Sequence, residues 1–412
     1  MRILILNQAF YPDVVSTAQH ASDLAAGLAD AGHEVWAIAS NRGYDDPQLR
    51  FAAREQWHGV KIVRVGGSGF GKSARWRRAL DFASFMLGCA FAMATLPRMD
   101  VVVALTSPPL ISFLAALSVP LKARSFVIWS MDVNPDEALA AGWLRRNSLT
   151  ARLLESISRY TLRRADRVVV LDRLMRDRIK AKGVAEQRIA VIPPWSHDDH
   201  LQFDAAQRER FRAEHGLTNK FVVMYSGNHS PCHPLDTLLD AARTLRKRED
   251  IVFFFIGGGS EHRRLQKIAV DEGLANVRFL PYQPLNGLGA SLSSADLHAV
   301  VMGNEFPGIV HPCKVYNILS LGVPFLYIGP ANTHIGDLIE DDQECGFRFE
   351  HGDAAGVASK IESMADAGPL RNATPSGLAS SFSKQVLLPA MIAAVEGVRM
   401  PSEQKAFSAV RP

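Results

Sequence analysis

Residues 251–280 read IVFFFIGGGSEHRRLQKIAVDEGLANVRFL. Ile251–Ile256 is an unbroken apolar run, Gly257-Gly258-Gly259 punctuates it, Glu261–Glu272 has helical spacing, and Val277–Leu280 is apolar again. A strand without polar alternation is covered on both faces, and strand–helix–strand connections build the parallel sheets in which such burial occurs. The same alternation extends outward. Phe221–Ser226, Leu297–Met302 and Pro324–Ile328 read as strands, and Leu235–Arg246 and Lys314–Leu321 as helices. Toward the N-terminus, Ile3–Leu6, Val35–Ala39, Val60–Val65, Val101–Leu105, Phe126–Trp129, Arg167–Leu171 and Ile189–Ile192 read as strands, and Ala18–Ala31 and Leu149–Ala165 as helices. Between the two series, Pro193–Asp204 is polar and Pro-led, as linkers are. One pattern occurring twice predicts an α/β protein of two Rossmann-like, doubly wound domains facing across a cleft, over residues 1–197 and 198–381. An amphipathic helix is expected within 382–399.

The bulk composition narrows the function classes. A chain of 412 residues, 47% hydrophobic and 21% charged, has enough apolar material for more than one core. Its net charge of +4 is too weak and too dispersed for a nucleic-acid binder. Cys89, Cys232, Cys313 and Cys345 form no CxxC pair, so neither zinc nor a disulfide framework is expected. The first apolar run, Ile3–Leu6, is too short for a signal-peptide core, and a cytoplasmic location follows as the expectation. Phe82–Leu96 is apolar or small throughout, but its 15 residues fall short of the roughly 20 a spanning helix needs. Just before it, Lys72, Arg75, Arg77 and Arg78 surround Trp76. That pattern fits peripheral contact with an anionic membrane, and equally a solvated loop before a core helix.

In an open parallel sheet, ligands bind beyond the carboxyl ends of the strands. The loop Asn7–Asp13, with Tyr11, and the pair Ser16-Thr17 follow the first strand; Ser16 and Thr17 read either as pocket residues or as an ordinary helix N-cap. Asp132 follows the strand Phe126–Trp129 and can orient or deprotonate a substrate hydroxyl, whereas Asp136 and Glu137 also suit a first helical turn. Ser226–His233 lies between a strand and a helix, where a phosphate would sit; Gly227, Asn228, His229 and His233 are its candidate contacts, unless the loop is exposed and the histidines are surface groups. Gly257 and Gly258 allow a backbone to approach a ligand closely, but no GxGxxG fingerprint is present. Lys314 opens a helix, a position that disfavours a cation unless an anion accompanies it. It is therefore the candidate diphosphate clamp, with Asn317 on the same helix face and His311 just upstream.

These residues resemble a family 4 glycosyltransferase of the branch that builds bacterial O-antigen, capsule and exopolysaccharide. The resemblance runs through Asn7-Gln8-Ala9-Phe10-Tyr11-Pro12, Ala31-Gly32-His33-Glu34-Val35, Thr106-Ser107-Pro108-Pro109-Leu110, Tyr225-Ser226-Gly227-Asn228 and Pro312-Cys313-Lys314-Val315-Tyr316-Asn317. It implies a GT-B enzyme whose N-terminal domain binds the acceptor and whose C-terminal domain binds a nucleotide-diphosphate sugar. Sugar transfer would proceed with retention, without metal or other cofactor, to a glycan or lipid-linked acceptor. The implied catalytic residues are Asp132 and Lys314. Donor contacts would come from Gly227, Asn228, His229, His233, Gly257, Gly258, His311, Lys314 and Asn317, and acceptor contacts from Tyr11, Ser16, Thr17 and Asp132. Many members carry two glutamates where Ile309 and Asn317 stand, Arg and Lys in the loop that here holds His229 and His233, and Gly-Gly where Ser16-Thr17 stands. Those departures keep two alternatives open: a nucleotide-sugar-binding paralogue without turnover, and a nucleotide-sugar 2-epimerase of similar architecture.

Overall fold

The computed structural model describes residues 1–44, 48–67, 75–197, 201–368 and 375–397, without the side chains of 75–79, 285 and 286. Lys72 and the side chains of Arg75, Arg77 and Arg78 therefore lie outside the described residues. The chain divides into two compact units, Met1–Pro194 with Leu387–Pro412, and Trp195–Val386.

The first unit is built on β1 (Arg2–Leu6), β2 (Glu34–Ser40), β3 (Arg54–Trp57), β4 (Val60–Val65), β5 (Val101–Ala104), β6 (Ser125–Trp129), β7 (Arg167–Val170) and β8 (Ile189–Val191). Their order is β3-β4-β2-β1-β5-β6-β7-β8, and all pairs are parallel except β3 with β4. β1, β5 and β7 bury nearly every side chain, as strands covered on both faces must. The helix Ser16–Asp30 packs against the helix Lys384–Glu396 through Gly27, where an added Cβ would lie 3.1 Å from both Leu388 and Ile392. All of the apolar run Phe82–Leu96 but its last residue belongs to the helix Arg75–Thr95, which buries Phe85, Cys89 and Met93 and leaves Leu87 and Phe91 exposed. No helix among the described residues is long and apolar enough to cross a membrane.

The second unit contains β9 (Phe221–Ser226), β10 (Ile251–Ile256), β11 (Val277–Leu280), β12 (Leu297–Val301), β13 (Phe325–Ile328) and β14 (Gly346–Phe349), all parallel, in the order β11-β10-β9-β12-β13-β14. Alternate side chains leave each strand on opposite faces. Val223, Tyr225, Phe253 and Phe255 enter one core layer, and Val222, Met224, Val252 and Phe254 the other. Strand order reverses between β9 and β12, so the loops that leave these two strands diverge and open a crevice. The boundary between the units falls within Pro193–Asp204, the stretch that reads as a linker, and the chain is packed where it enters the second unit: Trp195 and Ser196 are buried, and Ser196 N–H donates to the Phe382 carbonyl at 2.8 Å.

Candidate functional site

The crevice at the reversal is lined by the loops after β9 and β10 and by the helix Lys314–Leu321. Gly227 has a φ of +143°, and a Cβ there would stand 2.6 Å from Lys314 Nζ. Gly257, with a φ of +129°, passes so close to Gly227 that a Cβ would lie 2.1 Å from its carbonyl oxygen. Glycine at both positions lets the two loops close on each other while the lysine enters. Lys314 Nζ lies 3.6 Å from the centroid of the Tyr225 ring, is buried, and has no hydrogen-bond partner. Burial pushes its pKa from an ordinary 10.5 down to about 7. The Tyr225 hydroxyl donates to the Asn228 carbonyl at 2.7 Å, which holds the ring under the lysine.

Neither loop histidine is a surface group: His229 is buried and His233 half-buried. His229 is fully enclosed and its N–H donates to the Gly258 carbonyl at 2.7 Å. Its Nδ1 shares a hydrogen bond with His262 Nδ1 at 3.1 Å, while its Nε2 is buried without a partner. His233 Nδ1 lies 2.7 Å from the Val301 carbonyl; a carbonyl only accepts, so this nitrogen carries the proton and Nε2 presents a lone pair. Burial first, then the charges of His262 and Lys314, push His229 down to about 3. Burial and Lys314 do the same to His233. Both rings are neutral at physiological pH, which leaves Lys314, balanced near pH 7, as the group among them able to take up positive charge.

The remaining second-unit candidates have other attachments. Asn317 Oδ1 accepts the His197 N–H at 3.0 Å, which commits its carbonyl to the backbone and leaves its NH2 as the end able to meet a ligand. His311 is stacked on His334 at 3.5 Å, with its Nε2 2.7 Å from the Tyr316 hydroxyl.

In the first unit, Asp132 lines a cavity of about 290 Å³ beyond the carboxyl end of β6. Its walls are mostly apolar, from Pro109, Leu110, Phe113, Val133, Leu154 and Ile157. Burial, with the charge of Glu137, raises the Asp132 carboxyl to about 8. Asp136 has a structural partner set: Lys182 Nζ at 2.6 Å and Arg178 Nη1 at 3.0 Å. Tyr11 stacks on Trp57 with ring centroids 4.4 Å apart. Neither Ser16 nor Thr17 is the N-cap, because Val15 occupies that position; Ser16 Oγ lies 3.3 Å from His20 Nδ1. Sequence reading missed His262 and Trp57. His262 follows the glycine run at a helix start, a signal that was present; Trp57 sits on the antiparallel β3, whose polar alternation gave none.

Residues 17–195 match the glycosyl transferase 4-like domain, and residues 207–375 match glycosyl transferases group 1. A putative colanic acid biosynthesis glycosyl transferase, WcaI of Escherichia coli K12, is 29% identical over 82% of this chain and 86% of its own length. Sucrose-phosphate synthase of Thermosynechococcus elongatus superposes with a TM-score of 0.72 at 15% identity, over 95% of this chain and 97% of that one. HepE of Anabaena, solved with UDP and glucose, gives 0.70 at 16% identity, over 96% and 98%. With both domain matches in sequence order and each on its own parallel sheet, the chain belongs to the family 4 glycosyltransferases of the GT-B fold.

Proposed function

We propose that the second unit binds the diphosphate of a nucleotide sugar at Lys314, His229 and Gly227, and that the chain transfers the sugar, with retention and without metal, to a lipid-carried glycan in surface polysaccharide synthesis. The observation that carries this reading is the pair of buried, unpartnered groups, Lys314 Nζ and His229 Nε2, in a crevice that begins a helix. A buried donor without an acceptor is costly, and a diphosphate supplies only acceptors. When His262 donates to His229 Nδ1, the His229 proton stays on Nε2 and completes a two-donor cradle beside the helix N-terminus. The colanic acid role in the name of the E. coli relative, and the UDP and glucose of the Anabaena structure, point to the same substrate class.

Charge builds on the leaving diphosphate as the sugar–phosphate bond lengthens. Donors fixed in a water-poor crevice stabilise that charge more than water would. Lys314, poised near neutrality, becomes fully protonated beside the anion, since an opposite charge favours the charged form. In a retaining transfer the acceptor oxygen bonds the anomeric carbon on the face the phosphate leaves, and its proton passes to the departing phosphate oxygen. Asp132, protonated at neutral pH, orients the acceptor hydroxyl by hydrogen bonding rather than acting as a base, and Tyr11, Ser16 and Thr17 extend the acceptor side.

The test incubates the full chain with nucleotide sugars and a lipid-linked glycan in EDTA and determines the anomeric configuration of the product by NMR. Free nucleoside diphosphate and a linkage of the donor's own configuration are expected. An inverted linkage, or activity that EDTA abolishes, overturns the proposed mechanism; absence of nucleoside diphosphate binding overturns the donor site.

A further inference from the structure

The helix Leu149–Arg164 of the first unit has a largely exposed outer face, of which, among the described residues, Tyr160 alone makes a ring contact, edge-to-face with Phe113 at 6.1 Å. Trp143, just before it, is 62% exposed, and Leu149 and Leu153 are 82% and 60% exposed. At roughly 100° per residue, Leu149, Leu153 and the half-exposed Tyr160 fall within about 40° of one another. Arg152, Arg159 and Arg163 flank this stripe on one side and Arg164 on the other, with Arg145 and Arg146 in the preceding turn. Residues 143–164 hold six arginines against one acid, Glu155, which pairs with Lys182 Nζ and Arg159 Nε, each at 2.8 Å. Ile157, Leu154 and Ser158, which follow the stripe round the helix, about 40° to 140° on from Leu153, enter the wall of the Asp132 cavity.

We propose that this outer face docks the enzyme on an anionic lipid bilayer. An exposed Leu stripe flanked by arginines, with an exposed Trp just before it, is the arrangement of a helix lying in a membrane interface, with apolar side chains among the acyl chains and guanidinium groups at the phosphates. Charge selects the occupant. A second copy of this chain paired face to face would set the arginines against themselves, whereas an anionic headgroup layer complements them. The inference rests on the reading of a lipid-carried acceptor. Docked this way, the bilayer and the Asp132 cavity meet neighbouring sides of one helix, about 10 Å in diameter. In sequence this stretch is separate from the basic segment around Lys72, which lies outside the described residues.

The test uses the full chain at physiological salt, sedimented with phosphatidylcholine vesicles containing 30% phosphatidylglycerol or none. Native protein is expected on the anionic vesicles alone, and each of Arg145→Gln, Arg146→Gln and Arg152→Gln weakens partition about five-fold. Leu149→Ser with Leu153→Ser releases the protein. Brominated lipid quenches native tryptophan emission and quenches less in Trp143→Phe, a readout that needs no destabilising variant. Three results overturn the proposal: unquenched Trp143; binding lost on neutralising Lys72, Arg75, Arg77 and Arg78 but kept in the variants above; or a lipid-free dimer dissociated by the double serine variant, which makes the face an interface between copies. Nucleoside diphosphate affinity, measured without lipid, stays native in every variant here, so failure of docking and failure of the donor site are separate results.

Discussion

Replacing Lys314 with methionine should move two observables in opposite directions. The side chain keeps its length but loses its charge. A lysine pushed by burial to a pKa of about 7 destabilises the ligand-free protein at pH 7 by an upper limit on the order of 4 kcal/mol. Lys314→Met removes this cost, so urea unfolding of the ligand-free variant should show a higher midpoint. Nucleoside diphosphate binding should weaken by about 1.5–3 kcal/mol, the worth of a charged hydrogen bond, or about ten- to hundred-fold in Kd. The pH dependence has a defined sign. Between pH 7 and 10.5 the unfolded chain holds the lysine proton and the native state does not, so native stability rises with pH across that window and the advantage of the variant shrinks. Titration calorimetry at pH 8 in buffers of different ionisation enthalpy should also detect proton uptake on binding by the native protein, and none at this position in the variant. An unchanged Kd, or a variant destabilised as an ordinary core substitution would be, refutes the placement of the anion at Lys314.

Three further perturbations follow from the same geometry. Gly227→Ala places a methyl 2.6 Å from Lys314 Nζ in a left-handed conformation, so urea unfolding should show a loss of about 1–3 kcal/mol, with weaker nucleotide binding by calorimetry. Asp132→Asn tests the raised carboxyl: from about pH 4 to 8 the native state holds a proton that the unfolded chain has released, so native stability falls as pH rises, and the variant should lack this slope when unfolded at pH 5 and pH 8. His262→Phe removes the partner of His229 Nδ1 and should weaken nucleotide binding by about 1 kcal/mol, with little change in the Tm of the ligand-free protein.

What the sequence made legible was whatever burial writes as a pattern. Phe221–Ser226 and Ile251–Ile256 were read to the residue, because strands covered on both faces are continuous apolar runs. The helix Ile111–Lys122 escaped notice for the opposite reason: ISFLAALSVPLK is apolar nearly all round and contains Pro120, so no period distinguishes it. β3, with the sequence REQW, half exposed at the sheet edge, left no signal, and the stack of Trp57 on Tyr11 was hidden with it. At the site, residue types were legible and their environments were not. A loop histidine looks the same on paper whether exposed or, as His229 is, fully enclosed against His262. Asn317 could be placed on the face of Lys314, but its bond to the His197 N–H joins positions 120 residues apart.

The two neutral histidines and the buried lysine have a common electrostatic origin. Lys314 pays for burial without a counter-ion in the ligand-free state, and its charge is already among the causes that push His229 and His233 down. A permanent cation at position 229 would face the lysine in a low-dielectric crevice and drive its proton off, so that two basic residues would hold barely more charge than one until ligand arrived. A neutral imidazole avoids that repulsion and still offers an N–H. The crevice then takes up its positive charge when an anion enters and loses it when the anion leaves, which ties diphosphate affinity to proton concentration near the pKa of Lys314, about 7. On this argument His229→Arg, which restores the residue type more usual in the family, should tighten nucleoside diphosphate binding less than an added charged contact predicts. Its ligand-free form should also unfold at lower urea than native. A full gain in affinity without loss of stability shows that the two positions do not share one electrostatic environment.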